Sequence, residues 1–589
     1  MKALKLIKNL YFFLIFATPL LVSPGTNELF ELPKMAFVYL ASGVISILWI
    51  SKKKPLEFSK PLKLILMLLI IPKTLSLLLS THFPTSFFGY YTRFNGSLLS
   101  LISFSILLTI FTNVFTKKDA NKILNWTLAG GVLVSVYAIF QHFGIDKNVW
   151  VQDSQKRVFS TLGQPNWLAS YLVFLIPTSI NRVIKIKKGF KNLLIYATLF
   201  LGLLFTYSLS GAIAFVLVVV LITARQIRTA KRLSPRLIQV IAISFALFIT
   251  FPGLYKQRIL DVKNSLSKIE VRASTEYDYG RPKINDTSKI RALVWKGTVK
   301  LITSSPKVFL MGTGPQTFAY SFLPFRPIEL NTTTEWDFIF NKPHNYFLEI
   351  WADTGLINFI SFITATIVIL KLGFKTKIGS YLSIGIIGVY ITYFFGWPTV
   401  TTELLFTVFV GIIILNFSGD SKLININFVI FITIISFILT AYGVLLFSGD
   451  VLNKKGSSLA IKLNPFEPKY QITLAKKYYE MDQYEKADGY IKKAVKLNPG
   501  NMVTLKTASL LYQKMGPKNP IYVDKAIEIY ERTITLCPTD PENYLNLAKV
   551  YLQKEEIEKS INFTQKALEL KNGYFAAQRF NEQIYQLPD

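Results

Sequence analysis

The feature that most constrains the fold is a succession of apolar segments, each about 15 to 20 residues long and so close to the length of a membrane helix. The chain has 589 residues, of which 51% are hydrophobic. The pattern predicts an all-α, polytopic transmembrane helical bundle with about thirteen spans. We place these near residues 10–23, 34–50, 62–80, 97–115, 123–141, 166–180, 192–207, 211–224, 235–253, 345–370, 378–395, 402–417 and 424–446.

The distribution of basic residues predicts the orientation of the spans. Lysine and arginine total 66 against 35 acidic residues, a net charge of +31 that in another chain would suggest nucleic-acid binding. Here the cations cluster in short connections between spans, and such loops stay in the cytoplasm. The connections are Ser51–Lys63, Thr116–Lys122, Asn181–Lys191, Ala224–Arg236 and Lys371–Lys377. The loop at 254–343 and all residues after 447 are therefore expected outside, with no nucleic-acid partner.

Two parts of this topology allow an alternative. The spans at 192–207 and 211–224 are short, and basic runs flank the pair on both sides. A hairpin that turns at 208–211 explains this better than a single crossing, which would reverse the side of every later segment. The N-terminus resembles a signal peptide, but no small-residue cleavage site precedes Pro24, so we expect a retained first helix.

Cysteine and histidine are scarce, which limits the chemistry available. The one cysteine, Cys537, excludes an internal disulfide. Three histidines, His82, His142 and His344, make a multi-histidine metal site improbable on composition alone. We therefore expect neither a metal nor a cofactor.

A repeat begins at about residue 460, where the composition becomes that of a soluble protein. Similar tripeptides recur after 34, 39 and 34 residues, namely Leu463-Asn464-Pro465, Leu497-Asn498-Pro499, Leu536-Cys537-Pro538 and Leu570-Lys571-Asn572. Small residues also match in position, at Ala487, Ala526 and Ser560. A 34-residue period is typical of tetratricopeptide repeats, in which each repeat is a pair of helices. The predicted domains are a membrane domain at 1–446, a linker at 447–459 and a tetratricopeptide repeat solenoid at 460–589.

A histidine stands directly before one of the predicted spans. Pro343 disfavours helix in the residue before it, so the helix should begin at or just after the Pro343-His344 pair. The imidazole would then feel the positive end of the helix dipole, which disfavours protonation and leaves a neutral ring able to accept a proton. That setting suits a general base. The plainer interpretation of a lone histidine at a helix mouth is an interfacial polar residue.

Two arginines fall on the same predicted side as His344. Arg157 precedes a span, and Arg291 begins an amphipathic stretch at 290–303 that we expect to lie on the outer face of the membrane. A guanidinium group stays charged and binds phosphate oxygens in pairs, so two of them suit a pyrophosphate at the lipid interface. The plainer roles are a lipid-headgroup anchor for Arg291 and a place in the interfacial aromatic belt for Trp295.

Together these motifs resemble the O-antigen ligase and polymerase superfamily. The resemblance is carried by Arg157 with Gly163, Pro165 and Asn166, by Arg291 with Trp295, Pro306, Gly312, Gly314 and Phe318, and by His344-Asn345 with Leu348 and Gly355. It covers residues 10–446, and tetratricopeptide repeats are often appended in relatives.

The resemblance implies a GT-C-like, metal-independent membrane glycosyltransferase. Such an enzyme would move glycan from an undecaprenyl-pyrophosphate carrier to a lipid, growing glycan or protein acceptor, on the outer face of the bacterial cytoplasmic membrane. The resemblance gives His344 the catalytic position and Arg291 the pyrophosphate contact, with Arg157 as a second contact. Supporting residues would be Asn345, Gly355, Trp295 and Asn166. Expected partners are the donor, the acceptor, membrane lipid and a protein on the solenoid.

One block departs from the family pattern. The family usually carries a Ser-Arg-Gly type block, whereas residues 207–212 read Tyr-Ser-Leu-Ser-Gly-Ala and hold no arginine. Arg157 or Arg93 could substitute. The motifs do not choose between ligase, polymerase and protein O-glycosyltransferase. Two other functions stay open: a transporter or flippase of polyprenyl-linked glycan, although no duplicated halves are visible, and an inactive membrane-anchored scaffold, which the missing arginine favours.

Overall fold

A computed structural model describes residues 2–52, 56–185, 189–260, 287–417, 421–423 and 426–586. Residues 261–286 of the predicted outer loop lie outside these ranges. The predicted all-α class is confirmed, since helices dominate the described residues. One short antiparallel pair accompanies them, with Glu57–Ser59 against Ser421–Leu423 and Phe58 opposite Lys422.

Each predicted span coincides with a helix. The helices are Lys2–Ala17, Glu31–Ile50, Lys60–Leu78, Leu98–Val114, Ala120–His142, Pro165–Lys185, Phe190–Phe205, Leu209–Ala230, Pro235–Thr250, Tyr346–Phe374, Lys377–Tyr393, Val400–Ile414 and Ile426–Lys454. Within the described ranges, eight helices are long and apolar enough to cross a membrane. The protein is thus a multi-pass membrane protein, while the count of thirteen spans stays a prediction.

Hydroxyl side chains set where many of these helices begin. A serine or threonine at the cap position accepts a hydrogen bond from a backbone N–H of the first turn, which would otherwise lack a partner. This geometry is found at Ser59, Ser97, Ser208, Ser234, Thr376 and Thr399. Ser208 separates the helices Phe190–Phe205 and Leu209–Ala230, where the sequence predicts a hairpin turn.

Helix Pro165–Lys185 lies at the centre of the bundle. The apolar stretch of this helix is 89% buried inside the protein, far more than in the other long helices. The helix therefore faces protein on nearly all sides. It packs against Phe190–Phe205 and Lys377–Tyr393. The last long helix, Ile426–Lys454, packs along Glu31–Ile50 and runs through the predicted domain boundary at 446. Side chains at the N-terminal end of Pro165–Lys185 are therefore held firmly.

The amphipathic stretch forms the helix Thr287–Ile302. Its apolar residues Ile290 and Val294 are buried, and they pack in one cluster with Phe318 and Phe322. The sequence predicts that the helix lies on the outer face of the membrane, and this stays a prediction. The apolar face of the helix packs on protein, because the segment after the helix folds back and covers it.

The helix Tyr346–Phe374 is interrupted at Gly355, whose φ of 76° lies in the left-handed region. The interruption frees backbone carbonyls for a neighbouring turn, since Thr313 N donates to Ala352 O (3.1 Å) and Gly314 N to Asp353 O (2.8 Å). The helix and the segment before this turn approach so closely that a Cβ at Gly355 would stand 2.2 Å from Leu310 O. Only glycine fits this position without strain.

The repeats form a solenoid of seven helices within residues 460–586. These are Pro468–Glu480, Tyr484–Leu497, Met502–Met515, Ile521–Leu536, Pro541–Gln553, Ile557–Leu570 and Phe575–Tyr585. The small residues predicted at matching positions, Ala487, Ala526 and Ser560, are each 0% exposed and let the paired helices approach. The extra residues of the longer interval form the short 3-10 turn Gly516–Lys518.

The solenoid is docked through its repeated turns on the loops at one end of the membrane part. The His82 Nε2 donates to Leu497 O (2.9 Å), and Arg326 Nη1 donates to Thr539 O (3.1 Å). Asn331 Nδ2 donates to both Thr539 O (2.8 Å) and Leu570 O (3.0 Å). Three successive inter-repeat turns thus present backbone carbonyls to the same side of the membrane part.

Candidate active site

His344 lies directly before the helix Tyr346–Phe374, as the Pro343-His344 pair predicts. Asn345 is the cap of this helix, because its Oδ1 accepts hydrogen bonds from Phe347 N (3.0 Å) and Leu348 N (3.1 Å). His344 itself has a φ of 56°, a left-handed conformation that is uncommon for histidine. The half-buried ring contacts Trp397 in the loop after Tyr393.

The helix Thr287–Ile302 is fastened beside His344. Trp295 Nε1 donates a hydrogen bond to the carbonyl of Pro343 (2.9 Å), the residue before the histidine. One turn earlier, the Arg291 guanidinium lies 6.0 Å from the ring centre of Phe395. Trp295 therefore has a specific protein partner in addition to any interfacial role, and it places Arg291 on the same side as His344.

An aromatic residue of the loop after Tyr393 links His344 to a further arginine. The ring centres of His344 and Trp397 are 5.1 Å apart. The Arg93 guanidinium lies over Trp397 (5.6 Å) and over Trp167 (5.0 Å). Trp397 is buried, so its ring is a fixed wall between the histidine and Arg93.

Arg157 is held at the block that departs from the family pattern. Its Nε donates to Thr206 O (3.1 Å) and its Nη2 donates to Asn166 Oδ1 (3.2 Å). The same oxygen of Asn166 accepts from Ser208 Oγ (2.9 Å). Asn166 therefore positions the guanidinium of Arg157 next to residues 206–208, where a family arginine would be expected.

The arginines form a half-buried cluster of positive charge. Burial, with the nearby charges of Arg258 and Arg291, lowers the pKa of Arg157 to about 9. Burial and the charge of Arg258 likewise lower the pKa of Arg291 to about 10, against the opposing effect of Glu335. Both groups stay charged at neutral pH. The Nε atoms of Arg93 and Arg291 are buried and have no hydrogen-bond partner in the described part of the chain.

The same cluster keeps the histidine neutral. Burial, followed by the charges of Arg291 and Arg93, lowers the pKa of His344 to about 3. The helix dipole acts in the same direction. At neutral pH the ring therefore carries a lone pair rather than a second proton.

A small internal cavity of about 120 Å³ lies beside this site, inside the bundle. Its lining is mixed apolar and polar and includes the charged residues Lys73, Lys342, Glu349, Asp353 and Glu403. Lys342 pairs with Glu349, and both side chains are buried. With its amide oriented to satisfy both groups, Gln316 bridges the Arg93 carbonyl (2.6 Å) and Lys342 Nζ (2.8 Å). Ionisable groups at membrane depth are costly and mark functional regions.

The structure brings the candidate residues together and adds others. His344, Arg291, Trp295 and Asn345 meet at one end of the bundle, where Arg157 and Asn166 also lie. Gly355 lies further along the helix, where the interruption that it allows lets the Gly312–Gly314 turn hydrogen-bond to the helix. Trp397 and Arg258 were not predicted. A tryptophan in a loop and an arginine in a basic chain give no signal of their own in a single sequence.

Two regions of the chain match models of known protein families. The family model described as O-antigen ligase matches residues 194–363, which include Ser208, Arg258, Arg291 and His344. The tetratricopeptide repeat model matches residues 468–501 and 541–574.

A tetratricopeptide repeat-containing protein of Methanocaldococcus jannaschii is 36% identical over 88 residues, which is 15% of this chain and 14% of that protein. The likeness to that relative concerns the repeats alone. Residues 194–363 of this membrane protein thus form an O-antigen ligase-like region, and its C-terminal part carries tetratricopeptide repeats.

Proposed function

We propose that the protein transfers glycan from an undecaprenyl-pyrophosphate-linked donor to an acceptor on the outer face of the bacterial cytoplasmic membrane. The observation that carries the proposal is the placement of Arg291 and Arg93 beside a neutral histidine, with Arg157 near Arg291. Several half-buried cations with unused donors repel one another, and a diphosphate would relieve that repulsion. The match to the O-antigen ligase family supports the same chemistry.

In the proposed reaction the acceptor hydroxyl attacks the anomeric carbon of the donor sugar. An imidazole nitrogen of His344 takes the hydroxyl proton as the new carbon–oxygen bond forms. The bond between the anomeric carbon and the diphosphate breaks, and its electron pair leaves with the undecaprenyl diphosphate. The guanidinium groups of Arg291 and Arg157 stabilise that charge in place of a metal.

The contact chain explains why the groups would act together. Trp295 joins Arg291 to the carbonyl before His344, and Asn166 holds Arg157 on the neighbouring helix end. Arg157 stands where the family arginine is missing, which supports an active enzyme rather than an inactive scaffold. The candidate arginines and His344 gather at one end of the bundle, as a transferase that meets the head of its donor at the membrane surface requires.

The test is the replacement of His344 in the full chain, purified in detergent with the lipid-linked donor. We expect His344→Ala to lose at least about a hundredfold in kcat, the usual contribution of a general base. His142→Ala is the matched control, because it removes another histidine ring, which stacks on Phe205 and has no role in the proposed reaction. Equal turnover in both variants, with equal thermal stability, would overturn the proposed role. Consumption of the donor in detergent excludes pure transport, because no compartment is present.

The acceptor requires a second experiment in the source organism. In a strain that lacks the protein, loss of long glycans with single units still attached would indicate polymerisation. Accumulation of lipid-linked polymer would indicate ligation. An unchanged surface glycan profile, together with an unchanged set of glycosylated proteins, would contradict glycan transfer by this protein.

A further inference from the structure

A second cavity separates the outer loops of the membrane part from the first two repeats. It encloses about 350 Å³, within the range of about 300–1,000 Å³ typical of small-molecule sites. One wall is residues 82–94 with Tyr320 and Asn341, and the other is formed by solenoid residues between 464 and 507. We name this cavity the repeat cleft.

The lining of the repeat cleft combines aromatic rings with hydrogen-bonding groups, most of them neutral, and with the charged side chains of Glu467, Lys469 and Lys476. The rings belong to Phe88, Tyr90, Tyr91, Tyr320, Tyr442 and Phe466. Amides and hydroxyls stand between them, on Asn341, Asn464, Asn501, Thr473 and Thr507. Phe466 is 51% exposed, although one of its faces stacks on Phe88 at 5.4 Å. The other face of this ring is open to a ligand in the cleft.

This combination fits an oligosaccharide. A sugar ring offers an apolar face of C–H groups for aromatic contact and a rim of hydroxyls for amide and hydroxyl partners. A peptide held by its side chains would instead need apolar pockets, and the aliphatic members of the lining besides two prolines are Ile472 and Val503.

The floor of the repeat cleft leads to the candidate active site. Tyr90 and Thr92 line the cleft, and the turn between them is closed by Arg93 N donating to Tyr90 O (2.8 Å). The side chain of Arg93 continues to Trp397, which contacts His344. The wall of the cleft is therefore joined to His344 through the side chains of Arg93 and Trp397.

Docking of the solenoid fixes the two walls relative to each other. His82 Nδ1 accepts from Thr85 N (3.3 Å) on its own side, and its Nε2 donates to Leu497 O across the cleft wall (2.9 Å). Lys469 of the solenoid lies 4.2 Å from the ring centre of Tyr91. The cleft is thus a built feature rather than a gap between independent parts.

We propose that the repeat cleft binds a segment of a glycan chain, some sugars away from the bond that is made or broken. The inference rests on the proposed function for the origin of that glycan, which is either the donor or the growing acceptor. The solenoid would then be part of the substrate site.

The experiment uses the full chain in detergent and, as probe, the oligosaccharide released by mild acid from the lipid-linked glycan of the source strain. Phe466→Ala removes the exposed ring, and Thr507→Trp fills the cleft without removing packing. Phe575→Ala is the matched control, since Phe575 is 55% exposed on the last helix, outside the lining. Binding and the two KM values of transfer are measured together with thermal stability.

We expect Phe466→Ala to weaken probe binding by roughly tenfold, the effect of losing one aromatic contact, and Thr507→Trp to weaken it by occupying the cleft, with the control unchanged. A raised KM for the donor or for the acceptor identifies which chain occupies the cleft. Probe affinity in Phe466→Ala and Thr507→Trp equal to that of the control overturns the proposal, as does binding of a polypeptide at the cleft in place of the probe. His344→Ala separates the two proposals, because it should abolish turnover while probe binding persists.

Discussion

The proton affinity of His344 depends on the charge around it. Arg291 and Arg93 disfavour a second proton on the ring while the site is empty, and burial acts in the same direction. A bound diphosphate would neutralise those arginines, so the pKa of the ring would rise toward the value needed for a base. The anionic donor would thereby raise the basicity of the group that it needs.

This coupling predicts the pH dependence of the reaction. The free protein has His344 neutral above about pH 4, so kcat/KM for the donor should show no loss from this group between pH 5 and 8. The acid limb of kcat should lie at higher pH, because the ring in the donor complex has the higher pKa. Full pH profiles of both constants check this. An acid limb of kcat/KM near pH 6.5 that disappears with His344 would contradict it.

The arginines should not tolerate replacement by lysine. Lysine keeps the charge but loses the planar fork that Arg157 uses for Thr206 O and Asn166. We expect Arg157→Lys and Arg291→Lys to raise the donor KM about tenfold or more, as for loss of one charge-assisted hydrogen bond. Donor titrations measure the change. Arg532→Lys, on the exposed face of the solenoid, serves as control, and an equal KM in all three would contradict a phosphate contact.

Local chemistry accounts for what the sequence could reveal at this scale. The start of the helix at Tyr346 follows from Pro343 and the Asn345 cap, which are neighbours in the chain. By contrast, the Trp295–Pro343 and Arg93–Trp397 contacts join residues far apart in sequence, and their pairing depends on the packed bundle. Nothing in the periodicity of either segment specifies them.

Among the elements, the helix Tyr346–Phe374 differs most from its predicted form. The sequence predicts a continuous span at 345–370, since glycine is common in membrane helices. The interruption at Gly355 requires the amides of Thr313 and Gly314 as partners for the freed carbonyls, and those lie in another segment. A turn preceding the helix therefore decides its shape.

Replacement of Gly355 should destabilise the protein. An alanine there would hold a left-handed φ and a Cβ 2.2 Å from Leu310 O, at a cost of about 1–3 kcal/mol or more. Gly489→Ala is the matched control, because its site in the helix Tyr484–Leu497 is open, and alanine should stabilise that helix by about 0.5–1 kcal/mol. Thermal unfolding in detergent should show a lower melting temperature for Gly355→Ala and a slightly higher one for Gly489→Ala. A Gly355→Ala protein as stable as the parent would refute the steric account.

For the whole molecule, the basic loops predict sidedness that cysteine labelling can check. With Cys537 replaced by serine, a cysteine at Lys493 should react with an impermeant maleimide in intact spheroplasts. A cysteine at Arg232 should react only after permeabilisation. The helices on either side of Ser208 are separate, which supports the hairpin on which this assignment depends. The opposite labelling pattern would place the solenoid in the cytoplasm and rule out the proposed outer-face reaction.

The repeats can be predicted from the sequence, because their 34-residue period does not depend on how the helices pack. Their docking was not visible. It joins His82 to Leu497 and Asn331 to Leu570 across long stretches of chain, through backbone carbonyls that every residue possesses. The period of the repeats is a local property of the sequence. The docking contacts instead depend on which loops of the membrane part the folded bundle brings next to the inter-repeat turns.

The docked turns carry one further consequence. Since three of these turns are hydrogen-bonded to the membrane part, the solenoid is held at a fixed distance from His344. A glycan gripped in the repeat cleft would meet the reacting groups only when the intervening sugars span that distance. The architecture would then act as a gauge of chain length, admitting some glycans and leaving shorter ones out of reach.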